Sequence, residues 1–591
     1  MAGGEPVSPA KTMSWLKQVE LESRRRIILC NLYGDSQGAT ADQNLDAILE
    51  RYRSKVKAAR QQGLNQADTI LITYPDQVQE PDRSPLESLA EFCFKYLKGK
   101  VSGIHLLPFY PASSDDGFSV IDYRTVDPAF GSWADIAHLG EQFRLMFDAV
   151  INHASVHSDW FQAFIQDEPV YKNYFITVEG EPDLAQVVRP RALPLLTRFN
   201  TPSGLKSVWT TFSADQVDLN YCNPAVLLEI IDLLLDYVSH GAELIRLDAI
   251  AYLWKESGTS CIHRPQTHWI IQLLRLVLDE VAPHVLLITE TNVPHADNLS
   301  YFGDGHNEAQ LVYNFALPPL VLHSFYHGDA RALAEWAAGL ALPSRQTTFF
   351  NFLASHDGIG LNPVRGLLSE AAIQDLVNQT ILHHGLVSEK QDPDGSVSPY
   401  ELNINYFDAL SDPNSEEPVS LQVDRFVAAH AILFSLVGVP GIYFHSLFGS
   451  RGWPEGVQQT GQNRTINRQK LSRSELEQEL AEPETLRAQV FTRLGGLLAL
   501  RAGQPAFHPA GKQRVVECPR AIFGLLRISP DSREQVLCLQ NLTAQAQPIE
   551  ISLAEHGVRR AVDLISRKPI AEGQVALRMK PYQTLWMKLD E

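Results

Sequence analysis

The sequence predicts an α/β chain: a (β/α)8 TIM barrel with subdomains inserted after strands 3 and 7 and a small all-β domain at the C-terminus. Three observations carry this. Short apolar runs recur between Thr69 and Phe444, each followed by a helical stretch. Two gaps between runs are too long for ordinary loops. After about Gly503 the helical pattern stops and strand-like runs succeed one another. Continuous apolar strands alternating with helices build a parallel sheet covered on both faces. Eight such repeats fit a closed barrel. An open doubly wound sheet is the alternative, but it calls for a Gly-rich first turn, which the chain lacks.

Taken in order, residues 1–65 read as a helical extension. Arg24, Arg25, Arg26, Arg51, Arg53, Lys55 and Lys57 fall on polar faces and are expected to be solvated. The barrel then occupies 66–502. Its strand runs are Thr69–Tyr74, Gly103–Pro108, Leu145–Ile151, Glu243–Asp248, Val285–Glu290, Leu311–Asn314, Phe349–Ala354 and Gly441–Phe444. Ala225–His240 is one intervening helix, and Gly241 follows it as the residue that leaves the helix in a left-handed turn. The first long gap, about 152–220, contains Arg189-Pro190-Arg191 and Trp209. The second, about 358–424, contains the turn signal Asp392-Pro393-Asp394-Gly395. Both open at the C-terminal ends of strands, where barrel enzymes build their sites, so they are expected to roof a pocket. Ile522–Ile528, Val536–Leu539 and Thr584–Leu589 are strands of the C-terminal β domain, 503–591.

The totals exclude several function classes. A net charge of −19 and a pI near 5.5 argue against nucleic acid or an anionic membrane as partner. A phosphate ligand remains open, because a few local arginines decide that. Apolar residues make up 45 %, enough for a large core. The six cysteines are scattered with no CxxC pair, so neither a zinc site nor a disulfide framework is expected. The N-terminus shows no apolar signal-peptide core, and no apolar run reaches membrane-spanning length. A soluble cytoplasmic protein is expected. Nothing in the sequence bears on oligomeric state.

Polar groups gather where the apolar strands end. Asp148, Asn152 and His153 close the third run. Arg246 and Asp248 close the fourth, Glu290 the fifth, and His356 and Asp357 follow the seventh. A lone acid at a strand end is most often a helix cap. Three acids from three strands on one barrel face are costly to bury without a task. Arg246 lies two residues before Asp248, so both side chains share a strand face, and the guanidinium favours the Asp248 anion. Glu290 ends the apolar run Leu286-Leu287-Ile288, and such surroundings favour a protonated acid. Two carboxyls with opposed pKa values suit glycosyl transfer with retention. Asp248 is the candidate nucleophile and Glu290 the candidate acid/base. Asp357 is the candidate that holds sugar hydroxyls and steadies the oxocarbenium-like charge.

Asp148-Ala149-Val150-Ile151-Asn152-His153, Ile245-Arg246-Leu247-Asp248-Ala249, Ile288-Thr289-Glu290 and Ala354-Ser355-His356-Asp357 resemble the four ordered motifs of the alpha-amylase superfamily of glycoside hydrolases. Ser113–Phe118, Ile121-Asp122-Tyr123, Arg189-Pro190-Arg191, His356–Gly360 and Arg464–Arg468 resemble sucrose phosphorylase and its relatives. That resemblance implies that Asp115, Phe118, His153, His356 and Arg464 hold the donor glucose at subsite −1. Phe118 and Tyr252 would form an apolar platform. In phosphorolysis, inorganic phosphate attacks the glucosyl-enzyme and needs a basic partner on the acceptor side. Arg191 is the candidate, with Arg189 second. The roofing loops would also shield the intermediate from water.

The chain departs from sucrose phosphorylase in its N-terminal extension, in the acceptor loop Ser398–Asn403, and in Asn292, which stands in place of a histidine. The runs Arg189–Thr197, Thr289–His295 and Ser446–Arg451 more closely resemble glucosylglycerate phosphorylases. The implied reaction is reversible phosphorolysis of 2-O-α-D-glucosyl-D-glycerate, with the loops bearing Arg191 and Tyr400-Glu401 choosing phosphate and acceptor. Asn152 sits where many alpha-amylases bind structural calcium. The acidic ligands around it are not evident, so no metal and no cofactor are expected. Two further readings stay open: phosphorolysis of sucrose or glucosylglycerol, and a catalytically silent sugar-binding barrel. The silent reading expects one of the three acids to be lost, and all three are present.

Overall fold

The structure is a computed structural model that describes residues 9–56, 63–180, 182–392, 396–552, 560–570 and 574–590. Eight parallel strands close a barrel. They are β1 (Ile70–Thr73), β2 (Gly103–Leu106), β3 (Arg144–Ala149), β4 (Ala242–Leu247), β5 (Leu286–Thr289), β6 (Leu311–Tyr313), β7 (Thr348–Asn351) and β8 (Val439–Tyr443). Neighbours follow chain order, and β8 closes on β1 with Ile70 opposite Gly441. Each apolar run predicted from sequence overlaps one of these strands. Burial explains the pattern: nearly every strand residue is buried, so the strands carry Val, Ile, Leu and Phe rather than an alternation.

Register sets the site. Arg246 on β4 lies opposite Asp148 on β3, and Leu247 opposite Thr289 on β5. Asp248 and Glu290 are therefore the first residues beyond two adjacent strands, at one level. Their backbone N–H groups continue the ladder, Asp248 to the Ala149 carbonyl and Glu290 to the Leu247 carbonyl.

The helix predicted before β4 spans Pro224–Ser239. The Asn223 side chain caps it by accepting from the Ala225 N–H at 3.0 Å, and Pro224 opens the first turn. Gly241, at φ 104°, turns the chain out of the helix into β4.

Between β3 and β4 the chain builds a three-stranded antiparallel sheet from Thr177–Val178, Leu196–Thr201 and Gly204–Trp209. Gln216–Asp218 pairs back on His153–Ser155. Between β7 and β8 a second small sheet joins Ile359–Gly360, Leu386–Gln391 and Val397–Asn403. Pro393, Asp394 and Gly395 of the expected turn lie outside the described residues. The flanking Asp392 N–H donates to the Ser396 carbonyl at 2.8 Å.

The N-terminal segment forms two helices, Pro9–Tyr33 and Asp35–Arg53. One expectation is corrected here. Arg25 is not on a solvated face; its side chain is 2 % exposed and binds Asp42, Asp46 and Glu280. Arg53 also binds Glu280, and Arg51 binds Asp232. Asp42 and Asp46 belong to the second helix of the extension, whereas Glu280 and Asp232 belong to barrel helices, so Arg25 clamps the extension to the barrel, while Arg24, Arg26, Arg51, Arg53 and Lys55 are exposed as expected. Lys57 lies outside the described residues.

Past Ala502 the described residues form a six-stranded sheet and a two-stranded one, with no α-helix among them. Trp586 packs on Phe507 with ring centres 4.8 Å apart and joins the main core. Arg501 and Arg527, both buried, donate to carbonyls of the barrel at Phe434, Gly438 and Ser435. Among the described residues, no helix is long and apolar enough to cross a membrane.

Candidate active site

The acids close to one another do so around Arg246. Its Nη1 donates to Asp148 Oδ1 at 2.5 Å and to Asp248 Oδ1 at 2.8 Å, and its Nη2 stands 3.9 Å from Glu290 Oε2. Asp148 accepts a second bond from His105 on β2, at 2.8 Å to His105 Nε2. Burial pushes the Asp148 carboxyl up, yet His105 and Arg246 bring it down to about 2. Asp148 is thus a fixed anion that holds Arg246, not a reacting group.

Glu290 is held differently. Its Oε2 accepts the Ala249 backbone N–H at 2.9 Å. Ala249 sits at φ 48°, a left-handed conformation that is unfavourable for a residue with a side chain. Strain of this kind persists where the surroundings enforce it, and here it aims a peptide N–H at a carboxyl.

Burial raises the pKa of both Asp248 and Glu290, and Arg246 opposes it in both. With burial, Arg246 and the neighbouring carboxylates all acting, Asp248 is pushed up the further of the two. The hydrogen bonding ranks them the other way: Asp248 takes a charge-assisted bond directly from the guanidinium, while Glu290 takes its hydrogen bond from a neutral amide. The proton therefore settles on Glu290. The sequence pointed to this division through Arg246, but it did not show the upward push that burial also exerts on Asp248.

Asp357 is held as an anion. Burial alone would raise it, but the Arg464, Arg246 and Arg468 guanidiniums together bring it well below the usual carboxylate range. Arg464 Nη1 lies 2.5 Å from Asp357 Oδ1. The same guanidinium grips Glu401 in bidentate fashion at 3.0 and 2.8 Å. Glu401 also accepts the Gly358 backbone N–H. Its carboxylate is fully engaged, so it braces Arg464 and Asp357 rather than offering itself to a ligand.

One pocket is lined by Asp248, Glu290 and Asp357 together with Asp115, Phe118, His153, Arg246, Tyr252, His356, Arg464, Arg191, Tyr400 and Glu401. The structure thus brings every predicted site residue to one place. Phe118 stacks on His356, centroids 4.8 Å apart and planes 4° from parallel. Tyr252 meets the edge of Phe212 instead. Both rings reach the pocket, each on its own support. His356 is pushed by burial well below its usual range and stays neutral. Arg189 parts from Arg191: it donates to the Leu193 carbonyl and does not reach the pocket.

Sequence reasoning missed Gln216 and Phe212. Gln216 Nε2 stands 3.1 Å from the Phe118 carbonyl, 3.1 Å from His153 Nε2 and 3.4 Å from Asp115 Oδ2. Both come from the first insertion, where no strand-end pattern marked them. Lys255 was missed as well. Its side chain is 2 % exposed, and its ammonium lies 2.8 Å from Asn152 Oδ1 and 2.5 Å from Asp218 Oδ2, and also donates to the Tyr252 carbonyl. A protein-borne cation occupies the oxygen cluster that Asn152 had suggested for calcium. No group of three or more potential metal ligands occurs among the described residues.

Residues 93–358 match the alpha-amylase catalytic domain. A glucosylglycerate phosphorylase from Allomeiothermus silvanus is 50 % identical over 558 residues, covering 94 % of this chain and 96 % of that protein. The chain belongs to the glucosylglycerate phosphorylase branch of the alpha-amylase superfamily. Members of the sucrose phosphorylase branch are more distant: the enzyme from Agrobacterium vitis is 31 % identical over 74 % of this chain and 88 % of its own. Among solved structures, sucrose 6F-phosphate phosphorylase from Thermoanaerobacter thermosaccharolyticum superposes with a TM-score of 0.70 at 25 % identity, covering 80 % of this chain and 94 % of that one. The alpha-amylase match ends at Gly358, one residue past Asp357, so it takes in the three acids but not Arg464.

Proposed function

We propose that the protein is a retaining glucoside phosphorylase that interconverts 2-O-α-D-glucosyl-D-glycerate and phosphate with α-D-glucose 1-phosphate and D-glycerate. The observation that carries the chemistry is the pair Asp248 and Glu290, level with each other on adjacent strands and set apart by Arg246. The acceptor assignment rests on the glucosylglycerate phosphorylase relatives. An Asp248 carboxylate oxygen attacks the anomeric carbon as the glycosidic bond breaks, and Glu290 gives its proton to the departing glycerate oxygen. Phosphate then attacks the same carbon from the opposite side and expels Asp248, while Glu290 takes the phosphate proton. Two inversions restore the α configuration. Asp357, held by Arg464, binds the sugar hydroxyls, and Asp115, Phe118, His153 and His356 complete the glucose site. Arg191 meets the phosphate.

We place this work in the cytoplasm, which accords with six unpaired cysteines. The extension 1–65, the barrel 66–502 and the β domain 503–591 are the proposed domains. The test is product analysis of glucosylglycerate with and without phosphate. Glucose 1-phosphate is expected only in its presence. Equal release of glucose in its absence would make the protein a hydrolase and overturn the reading.

A further inference from the structure

A second chamber opens at the end of the barrel opposite the active site. It encloses about 870 Å³, within the range of about 300–1,000 Å³ usual for small-molecule sites. The N-terminal ends of β5, β6 and β7 supply its floor through Leu286, Gln310 and Thr348. From Leu286 to Glu290 is roughly 13 Å of extended chain, and the chamber shares no lining residue with the catalytic pocket. Three other parts of the chain close the walls. The first helix of the extension brings Glu20, Leu21 and Arg24. The helix Pro265–Val281 and the turn after it bring Arg275, Asp279 and His284. The start of the β domain brings His508 and Pro509. One wall therefore exists only where the extension does, and the extension is a part by which this chain departs from sucrose phosphorylase.

The polar groups that line the chamber are unequally engaged. Arg275, 2 % exposed, is committed: its Nε donates to Asp279 Oδ1 at 3.0 Å, and its Nη1 to the Val285 carbonyl at 2.8 Å and to Gln310 Oε1 at 3.0 Å. Asp279 is thereby matched. Arg24 and Arg345 are not. Neither makes an ion pair or a side-chain hydrogen bond with any described residue. Glu20 stands one helical turn before Arg24, yet the two lie beyond ion-pair distance. The half-buried His284 ring has no hydrogen bond among the described residues. Burial foremost, with Arg144 and Arg275, holds the His284 pKa below its usual range against Glu243, so the ring stays neutral. His508 is lowered in the same way, by burial and then by Arg527. An arginine on open surface is ordinarily satisfied by water. These two line one concave volume from separate elements, the extension helix and the loop before β7. Two uncommitted guanidiniums, two neutral imidazoles and apolar wall at Leu21 and Leu286 suit an anionic head on a small organic body. Paired guanidinium donors match phosphoryl oxygens in particular.

We propose that this chamber is a binding site for a phosphorylated small molecule, with its phosphoryl group held by Arg24 of the extension and Arg345 of the loop before β7. Such a ligand fastens the extension to the barrel floor beside the Arg25 clamp, so its binding is read as added stability of the whole chain. The inference goes beyond the catalytic reading and does not depend on it.

The experiment uses the full-length protein, as wild type, Arg24→Ala, Arg345→Ala and the double variant. Isothermal titration and melting temperature are measured with ATP and with α-D-glucose 6-phosphate, and with adenosine and glucose as unphosphorylated controls. At least one phosphorylated probe is expected to bind the wild type and to raise its melting temperature by about 2 °C at about a hundredfold excess over Kd. The double variant is expected to bind that probe about tenfold more weakly or worse, the cost of losing bonds to a charged group. Binding of ATP alone makes the ligand a nucleotide, and of glucose 6-phosphate alone a sugar phosphate; either supports the site. Because neither arginine has a protein partner, the variants without ligand should melt and turn over like the wild type. If neither phosphorylated probe binds, the site is wrong. A probe that binds the double variant within about twofold of wild type sits elsewhere, in the catalytic pocket or on the surface, and also overturns the proposal. So does an equal loss of affinity for adenosine and glucose in the double variant, since the arginines would then not be reading a phosphoryl group.

Discussion

Asp248 and Glu290 differ by what touches them, and that difference is measurable. Asp248→Asn keeps the shape but removes the attacking oxygen's charge. Turnover is expected to fall on the order of 10⁶-fold with an unchanged melting temperature, as for other covalent catalysts that lose their nucleophile. Unchanged kcat would remove Asp248 from the mechanism. For Glu290, burial first and Asp357 next raise the pKa, with Arg246 and the Ala249 N–H opposing. Cleavage of the glucoside needs the protonated form, so activity is present below the Glu290 pKa and is lost as pH rises through it. Because that pKa is raised, the alkaline limb of kcat/KM lies above the ordinary carboxyl range. Glu290→Gln should abolish that limb; a variant that retains it would assign the limb elsewhere. At this scale the sequence was informative where a residue's role follows from its strand. Arg246 and Asp248, two apart, had to share a face. It was silent on Gln216, Phe212 and Lys255, whose partners are far away along the chain.

At the level of elements, one residue beyond the strand end is the recurring position of the chemistry. β4 ends at Leu247 and β5 at Thr289, and the acids follow directly. The lead-in to β4 matters as much. Gly241 takes φ 104°, and a Cβ there meets no atom within 4 Å. Gly241→Ala therefore costs backbone strain alone, about 1 kcal/mol, and lowers the melting temperature by only about 1 °C in a chain of this length. Thermal denaturation checks this, and a loss of activity at low temperature without a stability change would contradict it. The eight barrel strands were legible because burial on both faces leaves an uninterrupted apolar run. The small sheets of the insertions were not. Leu196–Thr201 and Gly204–Trp209 are half-exposed antiparallel strands, and polar residues such as Arg198 and Lys206 break the run. What sequence gave there was only their length and their place on the catalytic face.

For the whole molecule, the joins between parts are made by buried arginines. Arg25 ties the first helix to Asp42 and to Glu280 of a barrel helix, and Arg501 and Arg527 reach from beyond β8 into barrel carbonyls. Arg25→Ala leaves Asp42 without its counter-charge and Glu280 with Arg53 alone, and should cost about 3 kcal/mol. A chemical denaturation midpoint shifted to lower denaturant is the expected readout, and an unshifted midpoint would mean the clamp is idle. The polarity pattern placed Arg25 outside because a charged side chain on a helix is usually wet, and only the partner helix reveals otherwise. Lys255 belongs to the same habit of building with fixed charges. Its ammonium joins Asn152 of the segment after β3, Asp218 of the first insertion and the Tyr252 carbonyl beyond β4, so it stitches the wall beside His153 and Tyr252. A bound ion in that place would have a dissociation constant, and the wall would loosen on dilution or beside a chelator. A charge carried on the chain has neither liability. It can be discharged only by losing a proton, and since burial lowers the Lys255 pKa, that wall answers to alkali and not to the ionic composition of its surroundings.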